Sequence, residues 1–151
     1  MHDRRRLLGH SARVALLLAG AGLLPAARAD YDTKLFDLKS LADVAKALGG
    51  QAPTESKDVS LTGPDIAENG AVVPIGVATT LPGVKQLMVM VEKNPSVLSA
   101  LFDVSDAVEP NFATRVKMGQ SSNVMAVALM NDGKVLFAHK EVKVTLGGCG
   151  G

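Results

Sequence analysis

NVMAVALMNDGKVLFAH, residues 123–139, reads as two apolar runs on either side of an Asn131-Asp132-Gly133 turn. Asp-Gly between such runs supplies the backbone freedom that a tight reversal needs, so the stretch predicts a β-hairpin. Outward from it, a period of two continues in Val142, Val144 and Leu146 on one side, and in Val59 and Leu61 and in Val73, Ile75 and Val77 on the other. Successive side chains of a strand point to opposite faces, so this alternation describes strands with one buried face. Runs at Gln86 to Glu92, Leu98 to Asp103 and Phe112 to Met118 bring the total to about eight short strands. Gly63-Pro64-Asp65, Asn69-Gly70 and Lys93-Asn94-Pro95 punctuate them with turn chemistry. Ahead of the strands, Ser40 and Asp43 form a capping box for Leu41, Val44, Ala45 and Leu48 at helical spacing, and Gly49-Gly50 ends that helix. No helix interleaves the strands and no repeat is visible. The expectation is an all-β, immunoglobulin-like antiparallel β-sandwich with one short N-terminal helix and a flexible C-terminal glycine-cysteine arm.

The 151 residues suffice for one domain. Residues 1–29 have a different character: Arg4, Arg5 and Arg6, an apolar run from Val14 to Leu24, then Ala27-Arg28-Ala29. This is the pattern of an export signal with an A-x-A cleavage site. The apolar run is about 11 residues long, against the roughly 20 that span a bilayer, so cleavage after Ala29 is expected rather than a permanent membrane anchor. Arginines followed by Leu7 and Leu8 resemble the twin-arginine signal, a route for folded proteins that ends in the periplasm. The expected organisation is therefore a signal over 1–29, a sandwich with its helix over 30–146, and an arm over 147–151.

Cleavage takes five arginines and Asp3 from sixteen basic and fifteen acidic residues, leaving eleven and fourteen. A nucleic-acid surface needs a concentrated basic face, and no Lys or Arg run survives. His2 and His10 leave with the signal, so His139 is the single remaining histidine. It ends a strand beside Lys140 and Glu141 and reads as solvent-facing. No nucleophile with its base and no metal-ligand set is apparent, and no cofactor is expected. Met88 and Met90 on one strand, with Met125 and Met130 on another, read as core packing rather than soft-metal ligands. Asp65 and Glu68 read as turn chemistry, lacking the ligand density of a calcium loop.

The chemistry concentrates at one residue. Cys149 is the sole cysteine, flanked by Gly147, Gly148, Gly150 and Gly151. In an exported protein a lone thiol is free, intermolecular or modified. A C-a-a-X lipidation signal has three residues after its cysteine, and two follow here. If the last strand ends near Leu146, three residues at about 3.3 to 3.6 Å carry the thiol up to roughly 10 Å beyond the sandwich. Four glycines would make that arm thin and flexible enough to enter a cleft in another protein. With an ordinary pKa of about 8.5 only a few per cent of the thiol is thiolate at pH 7, so activation must come from the site it enters. Joining the thiol to another sulfur also removes two electrons, and no second cysteine, haem motif or flavin fingerprint is present to take them. An exported structural sandwich whose cysteine only forms an intermolecular disulfide remains an alternative. A self-sufficient thiol oxidoreductase lacks a resolving cysteine.

The ending Val142-Lys143-Val144-Thr145-Leu146-Gly147-Gly148-Cys149-Gly150-Gly151 resembles that of SoxY, the sulfur-carrier subunit of the bacterial thiosulfate-oxidising system. Ala67-Glu68-Asn69-Gly70, Val91-Glu92-Lys93-Asn94-Pro95 and Ser40 to Gly50 resemble internal stretches of the same family. The resemblance implies a non-catalytic carrier with an immunoglobulin-like fold, paired with a separate SoxZ-like subunit as a SoxYZ heterodimer. It implies that Cys149 carries the substrate covalently, with Gly147, Gly148, Gly150 and Gly151 as a swinging arm. It also implies transient contacts with a SoxXA-type cytochrome that attaches thiosulfate oxidatively and a SoxB-type hydrolase that releases sulfate. In many such systems a sulfane dehydrogenase oxidises the remaining sulfur.

Overall fold

The computed structural model describes residues 32–148. The export-signal expectation for residues 1–29, and those for Cys149, Gly150 and Gly151, lie outside the described residues. After a 3-10 turn at Thr33–Asp37, helix α1 (Leu41–Ala47) begins at Ser40, whose Oγ accepts from the Asp43 amide at 3.1 Å. Seven residues are too few for a helix to persist on its own, so its stability comes from tertiary packing. Val44 and Ala45 are buried, Gly49 adopts φ +75, and the Gly50 amide closes the last turn onto the Ala45 carbonyl at 2.8 Å.

The chain then forms β1 (Thr54–Glu55), β2 (Val59–Thr62), β3 (Ile66–Ala67), β4 (Val73–Thr79), β5 (Val84–Val91), β6 (Leu98–Asp103), β7 (Asn111–Val116), β8 (Ser122–Met130) and β9 (Val135–Val144). A larger sheet has the order β1-β9-β8-β5-β6, with β3 also on β9; a smaller one has the order β2-β4-β7. The expected β-sandwich with its N-terminal helix is the observed fold. The hairpin is β8–β9, in register from Leu129↔Val135 to Ser122↔Val142, and Gly133 at its tip has φ +87.

Two details differ from the sequence reading. The runs predicted separately at Lys134–His139 and Val142–Leu146 are one ten-residue strand, β9, because pairing with β8 carries straight through Lys140 and Glu141. Leu146 is not in it. The sheet is also not wholly antiparallel, since the two-residue strands β1 and β3 pair parallel to β9 at Leu136–Phe137 and Lys143–Val144. Strands this short carry no periodicity and show only in the partner's hydrogen bonds.

Two apolar layers hold the molecule together. Between the sheets, Leu87, Val89 and Val91 of β5 and Val124, Ala126 and Ala128 of β8 meet Val59, Val73, Ile75, Val77 and Val116. On the outer face of the larger sheet, Met88, Met90, Val127 and Leu129 pack with Val44, Ala45 and Val97. Strands β5 and β8 are thus covered on both faces, which is why they read as near-continuous apolar runs. The methionines divide between the layers, with Met88, Met90 and Met125 on the helix side and Met118 and Met130 between the sheets. Phe102 of β6 stacks on Phe112 of β7 at 4.5 Å between centroids and 5° between planes, bridging the sheets at one edge. Among the described residues no helix is long and apolar enough to cross a membrane.

A charged strap crosses from the smaller sheet to β9. Lys140 donates to the Gly63 carbonyl at 2.8 Å and to the Asp65 carboxylate at 2.7 Å. That hydrogen bond, and then the ammonium charge, hold the Asp65 carboxyl below its ordinary pKa. A depressed carboxylate stabilises the fold above its unfolded pKa of about 3.9, and the contribution disappears as the pH falls through the folded value. In Lys140→Ala the Asp65 carboxyl carbon should titrate by NMR at higher pH than in the native chain; an unchanged titration would remove Lys140 as the cause.

Candidate functional site

Beyond Val142 the chain leaves the β8 pairing, yet it remains bonded to its surroundings. Val144 donates to Ser121 Oγ at 2.8 Å, the Thr145 amide to the Ala67 carbonyl at 3.1 Å, and Thr145 Oγ1 to the Glu68 carbonyl at 3.1 Å. Asn69 then turns the chain, its Oδ1 accepting from the Ala71 amide at 2.9 Å in the manner of an Asx turn. Three backbones interlock at this turn. Gly70 donates to Leu146 O at 2.7 Å and accepts from the Met118 amide at 2.7 Å; the Met118 carbonyl accepts from the Gly148 amide at 3.0 Å.

Glycine is required here by space rather than by backbone angle. A Cβ on Gly70 would collide with the Met118 carbonyl oxygen and stand 2.9 Å from the Gly148 nitrogen. On Gly147 it would strike the Gly119 carbonyl oxygen; on Gly148 it would lie 2.8 Å from Ala71 Cα and 2.9 Å from Gly70 C. Gly148 is buried. Asn94 supports the Met118–Gly119 segment from behind, its Nδ2 donating to Lys117 O at 2.6 Å and its Oδ1 accepting from the Gly119 amide at 3.5 Å. Ser122, also buried, accepts from the Lys93 amide at 3.0 Å and donates to the Asn123 carbonyl at 3.0 Å.

The arm expected to leave the sandwich at Leu146 is therefore held against it through Gly147 and Gly148. The three-residue reach from Leu146 is corrected accordingly, because Gly148 is itself an anchored amide. Cys149 follows directly in the chain and lies outside the described residues, as do Gly150 and Gly151. Gly119 and Ser121 escaped the sequence reading, and Asn94 was read there only within a turn and a family-like stretch, since nothing local in a sequence marks a side chain that braces a distant backbone. Gly70 was read as a turn glycine, and its contact role is visible only with Met118 and Gly148 in place.

His139 is exposed on β9, with Nδ1 3.6 Å from Glu55 Oε1. Among the described residues no three His, Cys, Asp or Glu side chains gather as a metal site. Ile66, Val72 and Leu146, on the segments that meet at the arm's base, are large apolar side chains that remain 58%, 53% and 66% exposed.

The family model of the sulfur oxidation protein SoxY matches residues 44–149, so the match takes in the second half of helix α1, both sheets and the junction, and ends on the lone cysteine. The chain belongs to the SoxY family. The solved sulfur carrier protein SoxY from Chlorobium limicola f thiosulfatophilum is 36% identical, with a TM-score of 0.61 over 69% of this chain and 94% of that one. A superoxide reductase (neelaredoxin) from Ignicoccus hospitalis shares the fold alone, at 18% identity and a TM-score of 0.51 over 57% of this chain and 79% of that one. No curated protein matches the chain.

Within this SoxY-family chain the stretches that resemble the family gather in space. Ala67–Gly70 turns under Thr145 and Leu146, Asn94 braces Lys117 and Gly119, and Gly147–Gly148 lies between them. Ser40 to Gly50 contributes the helix that packs on the outer face of the larger sheet.

Proposed function

We propose that this chain is a periplasmic carrier of sulfur compounds that binds thiosulfate-derived intermediates on Cys149 and presents them to partner enzymes, without catalysing their conversion. One observation carries the reading: the family match runs up to Cys149, the sole cysteine, which directly follows the anchored Gly148 in the chain.

The chemistry balances only with partners. Cys149–SH and S2O3 2− give Cys149–S–S–SO3−, one proton and two electrons, and those electrons pass to the haem of a SoxXA-type cytochrome. Water then cleaves the terminal S–S bond, leaving Cys149–S–S− and releasing sulfate and two protons through a SoxB-type hydrolase. A sulfane dehydrogenase would take the remaining sulfur onward. A SoxZ-like subunit would complete a heterodimer, and export through the twin-arginine route would deliver it, cleaved after Ala29, to the periplasm.

Intact-mass measurement on protein purified from thiosulfate-grown cells tests the reading. Mass increments of sulfane and sulfonate size that vanish on reduction are expected; an unmodified thiol throughout turnover would sink it. Should reduction abolish a covalent dimer while sulfur turnover proceeds without this chain, the structural-sandwich alternative holds instead.

A further inference from the structure

We propose that Gly70, Gly119, Gly147 and Gly148 form a clamp on the base of the arm, so that the first two tail glycines serve close backbone contact and fix the point from which the Cys149 thiol departs. Flexibility alone would leave Gly147 and Gly148 in solvent with their amides exchanging freely. Instead Gly148 is buried and its amide is bonded to Met118 O at 3.0 Å, while Gly147 lies where any Cβ would strike the Gly119 carbonyl oxygen. The clamp is braced on both sides. Asn94 holds the Lys117–Gly119 segment, and the Asn69 turn presents Gly70 to Leu146, Met118 and Gly148.

The clamp gives the arm two lengths. While it is closed, the Cys149 Cα is a single step of about 3.8 Å from an anchored residue. Released, the tether runs back to Leu146 and its reach grows to roughly 10 Å. A partner with a shallow site meets the closed arm, whereas one with a deep cleft draws on the longer tether. Gly147, Gly148, Gly70 and Asn94 are positioning residues for the thiol. Their purpose rests on the carrier reading; the clamp itself does not.

Amide exchange by NMR on the full-length folded chain, together with the line shape of a nitroxide attached to Cys149, tests this. In the native chain the Gly148 amide should exchange at least about tenfold more slowly than an unstructured glycine. Gly147→Ala should return that amide to within about twofold of the unstructured rate and narrow the nitroxide spectrum, with the Val127 amide of β8 keeping its native protection. Ser60→Ala is the control, because this side chain is exposed on β2 of the smaller sheet and outside the clamp, and it should change neither readout. Asn94→Ala should loosen Gly148 partially through the Lys117–Gly119 segment. An unprotected Gly148 amide in the native chain, or native exchange and line shape in Gly147→Ala, overturns the proposal. Loss of Val127 protection along with that of Gly148 would make Gly147 part of the core and overturn it too. A chain that never bears a sulfur adduct would defeat the carrier reading and leave the exchange result standing; an unclamped arm on an adduct-bearing chain would do the reverse.

Discussion

Cys149→Ser protein recovered from thiosulfate-oxidising cells should carry no reducible sulfur adduct and support no sulfur turnover, while melting at the native temperature. The chain has one cysteine, so no other side chain offers a thiolate to take its place. Serine preserves the size of the side chain but not the chemistry, since a hydroxyl forms no persulfide or S–S bond. The fold should be indifferent to the change, because both apolar layers are assembled from residues between Leu35 and Val144. Intact mass with and without reductant, a turnover assay with the partner proteins and a thermal melt read the three quantities separately. Undiminished turnover would show that Cys149 is not the carrier, and a lowered melting temperature would show that it also supports the sandwich.

The second large effect falls on stability. Leu87→Ala should destabilise the sandwich by about 3 kcal/mol, in the range for a buried leucine whose surroundings collapse only partly. Leu87 is fully buried, pairs with Phe102 on one side and Ala128 on the other, and belongs to the layer between the sheets. Neither flanking backbone can close in without breaking its own ladder, which favours a residual cavity. For a domain of this size the loss corresponds to a fall in melting temperature of roughly 10 °C. Leu146→Ala is the comparison: it removes the same atoms from a side chain that is 66% exposed and should alter stability by less than about 0.5 kcal/mol. Equal losses for the two variants in a denaturant titration would contradict this assignment of the core.

Much of the fold was legible because it depends on local rules. Asp132-Gly133 announced the β8–β9 hairpin through the turn's need for positive φ, and Ser40 with Asp43 announced the helix start through capping. What was misread has a common cause. The split of β9 at Lys140 and Glu141 came from local polarity, whereas pairing with β8 decides the strand. Strands β1 and β3 exist only because β9 offers an edge along which two residues at a time can bond.

By itself the sequence determined the class of fold and singled out one candidate group. Alternating apolar runs and turn residues point to a β-sandwich, and the single thiol, set between two pairs of glycines, is the one group on which the proposed carrier chemistry can rest. Only the tertiary structure decided what the glycines before that thiol are for. Their role depends on distances to Gly70, Ala71 and Gly119, residues 28 to 78 positions away in the chain. A glycine required for contact and a glycine required for freedom look the same until the neighbouring backbones are in place.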